Sequence, residues 1–343
     1  MTFRPLILVL GVALLGACAG TPSKPADQPD WVSGRSKQYP PELYLTGRGQ
    51  SRQSSDDAKD RARADLAKTF EVYIQENQKD VQAFSAVKED DKPQQTHSQL
   101  DVTRTIITST DQIVRGIQIG DVWRDSVTGE QYALAILSRQ QAAAALRQEI
   151  GRLDETTRVS IDTAANSEDV LVKIGKANRA LNAQIERLAF QRSLSVVDRS
   201  GEGVRPTWSI GSLQNDFEKL LNRISVRPAV TNDDSGQIKD ILAGAIAAAG
   251  FTADASGSAD FTLETSLSLA DLGQSSDGWW VLQGALDIKL LDKTGKTRGN
   301  KRWPIKVSAQ QKPVAAQRAK DDVAKILNKD LRATLVGFAI TSP

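Results

Sequence analysis

A single cysteine, Cys18, in 343 residues excludes an intrachain disulfide, so this chain must be held together by hydrophobic cores rather than covalent staples. That cysteine directly follows an apolar run, Pro5 to Ala17, with a lone positive charge at Arg4 ahead of it and small residues at Gly16 and Ala17 behind it. Basic, apolar, then small is the order of a secretory signal. Thirteen helical residues reach only about 20 Å, against the roughly 30 Å of a bilayer's hydrocarbon core, so the run is too short to span a membrane. Cleavage ahead of Cys18 would leave the thiol at a chain end, beside the polar segment Thr21 to Asp30, where there is little core for a structural cysteine to occupy.

Leu15-Gly16-Ala17-Cys18 resembles the lipobox of bacterial lipoproteins, in which the thiol accepts a diacylglyceryl group and the peptidase cuts just before it. Each buried methylene contributes ~0.8 kcal/mol and a single acyl chain anchors only marginally, so several chains on one cysteine suit stable anchoring. Residue 19 is Ala, not the aspartate that resembles an inner-membrane retention signal, and this points to the outer membrane. Residues 1–17 therefore read as signal peptide. Residues 18–30, with three prolines and little to bury, read as lipidated N-terminus and extended tether.

From Trp31 the pattern becomes that of a folded domain. A turn at Tyr39-Pro40-Pro41 precedes a short strand, Leu43 to Thr46, a glycine corner and a helix opened by Ser54 with Asp57. Ala58, Ala62, Leu66, Phe70 and Ile74 recur in steps of four, one stripe facing a sheet. A polar loop spans Ala86 to Gln99, followed by strands Val102 to Thr110, Ile113 to Asp125 and Gln131 to Ser138, the last two joined by a turn ending at Gly129. Ser138 then caps a long helix, and Leu146, Ile150, Leu153 and Thr157 mark its apolar face. After a break at Ala165 to Ser167, a second helix carries Val170, Ile174, Ala177, Leu181, Ile185 and Leu188. Together the two helices read as an antiparallel hairpin.

Beyond a linker at Gly201 to Pro206, helices are expected over Gly211 to Asn222, Ser235 to Gly250 and Pro313 to Gly337. Strands are expected at Ile224 to Val230 and in the alternating runs Phe261 to Leu269, Trp280 to Leu290 and Trp303 to Val307. The expected fold class is α+β: two small sheet-plus-helix domains, 31–138 and 207–343, joined by a helical hairpin over 139–200.

Trp31, Tyr39-Pro40, the "LYLTGRGQS" strand, the alanine-stepped helix (Ala58, Ala62) and "QYALAILSR" together resemble the LPP-twenty (LPP20) lipoprotein family of bacterial outer membranes, over about a third of the chain, Trp31 to roughly Gln148. The family includes lipoproteins similar to those of the flagellar basal disk. Its motifs carry fold rather than an active site, and the resemblance implies a lipoprotein acting in the cell envelope.

Several motifs suggest chemistry that their spacing denies. Gly47-Arg48-Gly49 lacks the third glycine of a dinucleotide fingerprint, since Arg52 stands there. Gly295-Lys296-Thr297 lacks the phosphate-loop glycine five residues earlier, where Leu290 stands inside a strand. His97 is the lone histidine and sits in the polar loop; a zinc site draws on a cluster of Cys and His that this chain does not have, and a Ser-His-Asp triad would have to use this one imidazole from a loop that orients it poorly. The acidic clusters Asp56-Asp57, Glu89-Asp90-Asp91 and Asp233-Asp234 lack calcium-loop spacing. With a net charge of +2, no concentration of cations points to nucleic acid. No cofactor and no catalytic group is expected.

The expectation is a non-enzymatic, periplasm-facing outer-membrane lipoprotein, held by acyl chains on Cys18. It would contact envelope proteins or further copies of itself, with flagellar and secretion-related assemblies among the candidates. Trp279, Trp280 and Trp303, near Arg298, Lys301 and Arg302, are the candidate contacts. They also support an alternative, a C-terminal module that recognises cell-wall glycan or lipid.

Overall fold

A computed structural model describes residues 27–76, 116–231, 233, 236–255 and 257–341. Within it the chain divides into two compact units: one takes the residues up to Lys68 together with Ile117–Leu137, the other Thr69–Gly116 and Ser138–Pro343. Both are mixtures of helix and sheet, the α+β class expected.

The first unit opens with a single helical turn, α1 (Asp30–Ser33), followed by β1 (Tyr44–Ser51) and α2 (Ser55–Glu76). Strands β2 (Gln118–Arg124) and β3 (Gln131–Ser138) complete a three-stranded sheet in the order β1-β3-β2. β2 and β3 are antiparallel, with Val122 opposite Ala133 and an irregularity between Ile119 and Asp121. Their turn forms because the Asp125 carboxylate accepts from the Val127 N–H at 2.8 Å and Gly129 takes φ +75°. The central strand buries five successive residues, Ala133 to Leu137. Side chains alternate along a strand, so both faces of β3 are covered. Leu134 and Ile136 pack with Trp31, flanked by Tyr39, Tyr44, Trp123 and Tyr132.

One expectation is corrected here. Gly47 and Gly49 do not make a corner; both lie inside β1. Their role is close approach. A Cβ on Gly47 would stand 2.5 Å from the Ala62 carbonyl oxygen, and one on Gly49 would stand 2.1 Å from that of Ala58. Strand backbone therefore lies directly on helix backbone, which is why Ala58 and Ala62 recur on the facing turns of α2 and are fully buried with Leu66. The helix begins as expected, with the Asp57 N–H donating to Ser54 Oγ at 3.0 Å.

The second unit starts with the hairpin of α3 (Arg139–Asn166) and α4 (Val170–Val197), capped by Ser138 and Asp169. Then follow α5 (Ile210–Asn222), β4 (Ser225–Thr231), α6 (Gln237–Ala248), β5 (Thr252–Ala253), β6 (Phe261–Gln274), β7 (Trp280–Asp292), β8 (Thr297–Ala309) and α7 (Lys312–Thr341). The sheet order is β5-β4-β6-β7-β8. β4 runs parallel to β5 and β6, and β6, β7 and β8 form an antiparallel meander with Leu263 opposite Leu290 and Leu286 opposite Trp303.

The inward side chains of this sheet, among them Val226, Leu263, Leu286, Ile288 and Ile305, form one core with Leu242 and Ile246 of α6 and with Leu327 and Leu331 of α7. Leu171, Ile174, Leu181 and Ile185 of α4 belong to that same core. The hairpin, expected as a joining segment, is thus continuous with the C-terminal domain. Its second helix is buried well beyond a single stripe because it also packs on α3.

Inside the hairpin, Arg187 is only 3% exposed and donates to Asp154 Oδ1 at 2.7 Å. Gln184 donates to the same oxygen and to Thr157 Oγ1, at 3.0 and 2.8 Å. A second arm of the guanidinium reaches the Val204 carbonyl at 3.0 Å, tying the linker to α4. A buried cation is tolerated only when paired and hydrogen-bonded, and here it is both.

Candidate functional site

Leu15, Gly16, Ala17 and Cys18 lie outside the described residues, as do His97, the loop Ala86 to Gln99, the strand expected over Val102 to Thr110 and the cluster Glu89-Asp90-Asp91. The tryptophans do not converge on one place. Trp280 opens β7 opposite Ala309 and Gln274, whereas Trp303 sits opposite Leu286, six residues along the same strand. At about 3.3 Å per residue that is roughly 20 Å. Trp303 is half-buried against the core and serves packing.

Trp279 and Trp280 stand at the tip of the β6–β7 hairpin. The tip is a tight loop in which the Ser275 N–H donates to the Trp279 carbonyl at 2.8 Å and Gln274 Nε2 to the Gly278 carbonyl at 2.9 Å. Trp279 is 37% exposed and Leu272, on the other arm, 60%. Trp280 is half-buried, with Lys312 Nζ 5.8 Å from its ring centroid, within range of a cation–π attraction. Lys312 also pairs with Asp271 at 2.7 Å, which holds that carboxyl below the usual aspartate range and ties the start of α7 to the tip. Val314, two residues on, is 43% exposed. Leu272 and Trp279 are thus exposed on the two arms of the tip, and Val314 is exposed two residues beyond the lysine that bridges α7 to it. Leu272 and Val314 carry no mark in the sequence, because their place near the tip depends on the Lys312 bridge.

The cations expected beside Trp303 are partly committed. Arg298 pairs with Asp169 at 2.7 Å and with Asp292 at 3.6 Å, joining the N-cap of α4 to the β7–β8 turn. Burial pushes the Asp169 carboxyl up, but the Arg298 hydrogen bond and the Val172 and Leu171 N–H groups outweigh it, and the net shift is downward. Arg302 faces Asp287 at 3.5 Å.

The other tempting motifs are structural. Gly295 turns the β7–β8 hairpin at φ +79°, and Asp292 Oδ1 accepts from the Thr294 and Lys296 N–H groups at 3.0 and 3.1 Å. Asp57 accepts from Ser51 Oγ at 2.5 Å and pairs with Arg61 at 3.0 Å, and both contacts lower its pKa, the serine hydrogen bond most. Among the described residues no group of three His, Cys, Asp or Glu is placed to hold a metal. Likewise, no described helix is long and apolar enough to cross a membrane.

One surface has no counterpart in the sequence reading: an open groove of about 310 Å³ along the α3–α4 hairpin, lined by residues of both helices including Arg152, Val159, Lys176 and Arg179.

By architecture the chain is a two-unit α+β protein whose described acidic clusters serve caps, turns and ion pairs. Residues 29–138, about a third of the chain, match the model of the LPP20 lipoprotein family, the family resembled by Trp31, Tyr39-Pro40, the β1 strand and β3. Among solved structures, the secreted protein HP1454 from Helicobacter pylori is similar over 85% of this chain and 97% of its own, at 13% identity and a TM-score of 0.46. A minor lipoprotein from Acinetobacter baumannii is similar over 32% of this chain and 90% of its own, at 14% identity and a TM-score of 0.27. A dodecameric PelC from Paraburkholderia phytofirmans is similar over 31% of this chain and 83% of its own, at 16% identity and a TM-score of 0.23. No curated protein matches the chain.

Proposed function

We propose that this protein is a lipid-anchored lipoprotein of the outer membrane, facing the periplasm and working through contacts with envelope proteins rather than through catalysis. The observation that carries the reading is a lipobox-like Leu15-Gly16-Ala17-Cys18, followed after a proline-rich tether by a segment that matches the LPP20 lipoprotein family. Acyl chains on Cys18 are the anchor, and residues 19–30 hold the folded units off the bilayer. Leu272, Trp279 and Val314 supply the partner surface, since exposed aromatic and apolar residues suit interface anchors.

Density-gradient fractionation of the membranes tests this. Wild type is expected in the outer membrane, Cys18→Ser is expected to leave it, and Ala19→Asp is expected to shift toward the inner membrane. Wild-type protein in the cytosol contradicts the reading.

A second reading, recognition of cell-wall glycan by the C-terminal domain, is favoured by the exposure of Trp279, since an exposed indole suits stacking on a sugar face. Sedimentation with purified peptidoglycan separates the two. Retention that falls with Trp279→Ala supports glycan binding, and equal retention eliminates it.

A further inference from the structure

We propose that the groove along the α3–α4 hairpin binds a ligand combining an anionic group, a phosphate or a carboxylate, with an apolar portion. The site is distinct from the β6–β7 tip and does not depend on how the protein is anchored.

The groove exists because of helical spacing. Arg152, Thr156, Val159 and Thr163 follow one another at four, three and four residues along α3 and so share a face, against which α4 brings Lys176 and Arg179. Its wall is largely hydrocarbon for a local reason. The hydroxyls of Thr156 and Thr163 donate back to the Arg152 and Val159 carbonyls at 2.9 and 2.7 Å, leaving their methyl groups as surface. Val159 is 46% exposed, large for an apolar side chain beside a concavity. A volume near 310 Å³ lies at the lower end of the range for small-molecule sites.

Charge then selects the ligand. Arg152 is engaged by Glu149 at 2.7 Å and faces Glu186 at 3.9 Å. Glu155, the acid of the lining, has both oxygens taken by Arg158 at 2.7 and 2.9 Å. Lys176 and Arg179 have no carboxylate partner among the described residues. They also stand three apart on one helix, where like charges repel. An anion between them relieves that repulsion and gains hydrogen bonds to both, while the valine and threonine methyls accept a short apolar tail.

The test is calorimetric titration of the full chain in maltoside micelles with inorganic phosphate and with octyl phosphate, using octyl glucoside as the uncharged control. Wild type is compared with Lys176→Gln/Arg179→Gln. A second double variant, Lys289→Gln/Lys306→Gln, removes the same charge from exposed positions on strands β7 and β8, and circular dichroism checks that all three are folded. One-site binding of octyl phosphate, weakened at least tenfold in the groove variant alone, supports the proposal and points to a lipid-like ligand. Binding of inorganic phosphate with the same selective loss, but more weakly than octyl phosphate, also supports it, the difference being the contribution of the apolar tail. Three outcomes overturn it: no binding of either anion, equal binding to wild type and groove variant, or octyl glucoside binding as tightly as octyl phosphate.

Discussion

The two units solve the same problem, helix against sheet, with opposite materials. In the first, α2 meets β1 where side chains are absent or minimal: Gly47 and Gly49 on the strand, Ala58 and Ala62 on the helix. In the second, the contact is filled by large aliphatic residues, Leu242, Ile246, Leu263, Leu286 and Leu331 among them. A backbone-to-backbone contact admits almost nothing but glycine and alanine, so it writes a particular set of letters into the chain. A core of leucines and isoleucines tolerates exchange of one for another at similar volume and writes only a hydrophobic period. The family match, residues 29–138, takes in Gly47, Gly49, Ala58 and Ala62, the residues in which this packing is written.

The contrast can be broken most sharply at Gly49. Gly49→Val places branched carbon where even a Cβ would sit 2.1 Å from backbone, and α2 is expected to lose its seat. The expected outcome is loss of the first unit's cooperative unfolding in a denaturant titration followed by circular dichroism, with the second unit's transition retained. A valine variant that unfolds like wild type would show that the strand and helix do not touch.

Leu263→Ala is the matched experiment in the second unit. The side chain is fully buried, and the cost is expected at about 2–5 kcal/mol, read as a shifted midpoint with the transition intact. Loss of the fold would mean that the aliphatic core is as intolerant as the glycine contact.

A smaller effect is expected at Trp31, whose Nε1–H donates to Asp121 Oδ2 at 2.8 Å. Trp31→Phe keeps a ring in the Leu134–Ile136 cluster but deletes that bond, for a loss of about 1–2 kcal/mol. No change would assign Trp31 to packing alone.

The last effect is graded by pH. Asp169 and Asp260 of the second unit both titrate below the ordinary aspartate value. For each, burial acts upward and is outweighed: at Asp169 by Arg298 and the α4 N-cap, at Asp260 by the Ser225 N–H and Lys293. A carboxyl depressed in the folded state contributes stability that is present above its unfolded pKa, near 4, and lost as pH falls through the folded value. Stability of the second unit is therefore expected to be flat above about pH 5 and to decline below about pH 4, with Asp169→Asn flattening part of that decline. A decline unchanged in the variant would remove Asp169 from the account.

The same contrast explains what could be read from the letters. Alternation located β6, β7 and β8, turn chemistry located Gly129 and Gly295, and Ser138 announced the start of α3, because each is a local rule with a local signature. Gly47 and Gly49 were legible as glycines but not in their role, since one residue type serves both a turn and a close approach and the choice depends on a helix that arrives later in the chain. The depth of α4 was hidden because the stripe from Val170 to Leu188 marks only part of its buried surface, and the rest, with Gln184 and Arg187, is buried by packing that leaves no apolar period. The place of Val314 near the β6–β7 tip needs Lys312 to reach back to Asp271, and the hairpin groove needs Val159 to meet Lys176. Neither meeting has a period in the sequence.

The central claim, a lipoprotein anchored through Cys18, is tested most directly by intact-mass spectrometry of the membrane-extracted protein beside Cys18→Ser. The account predicts a mature chain that begins at Cys18 and carries the mass of its acyl groups, absent from the variant. A wild-type chain with an unmodified Cys18 would contradict it.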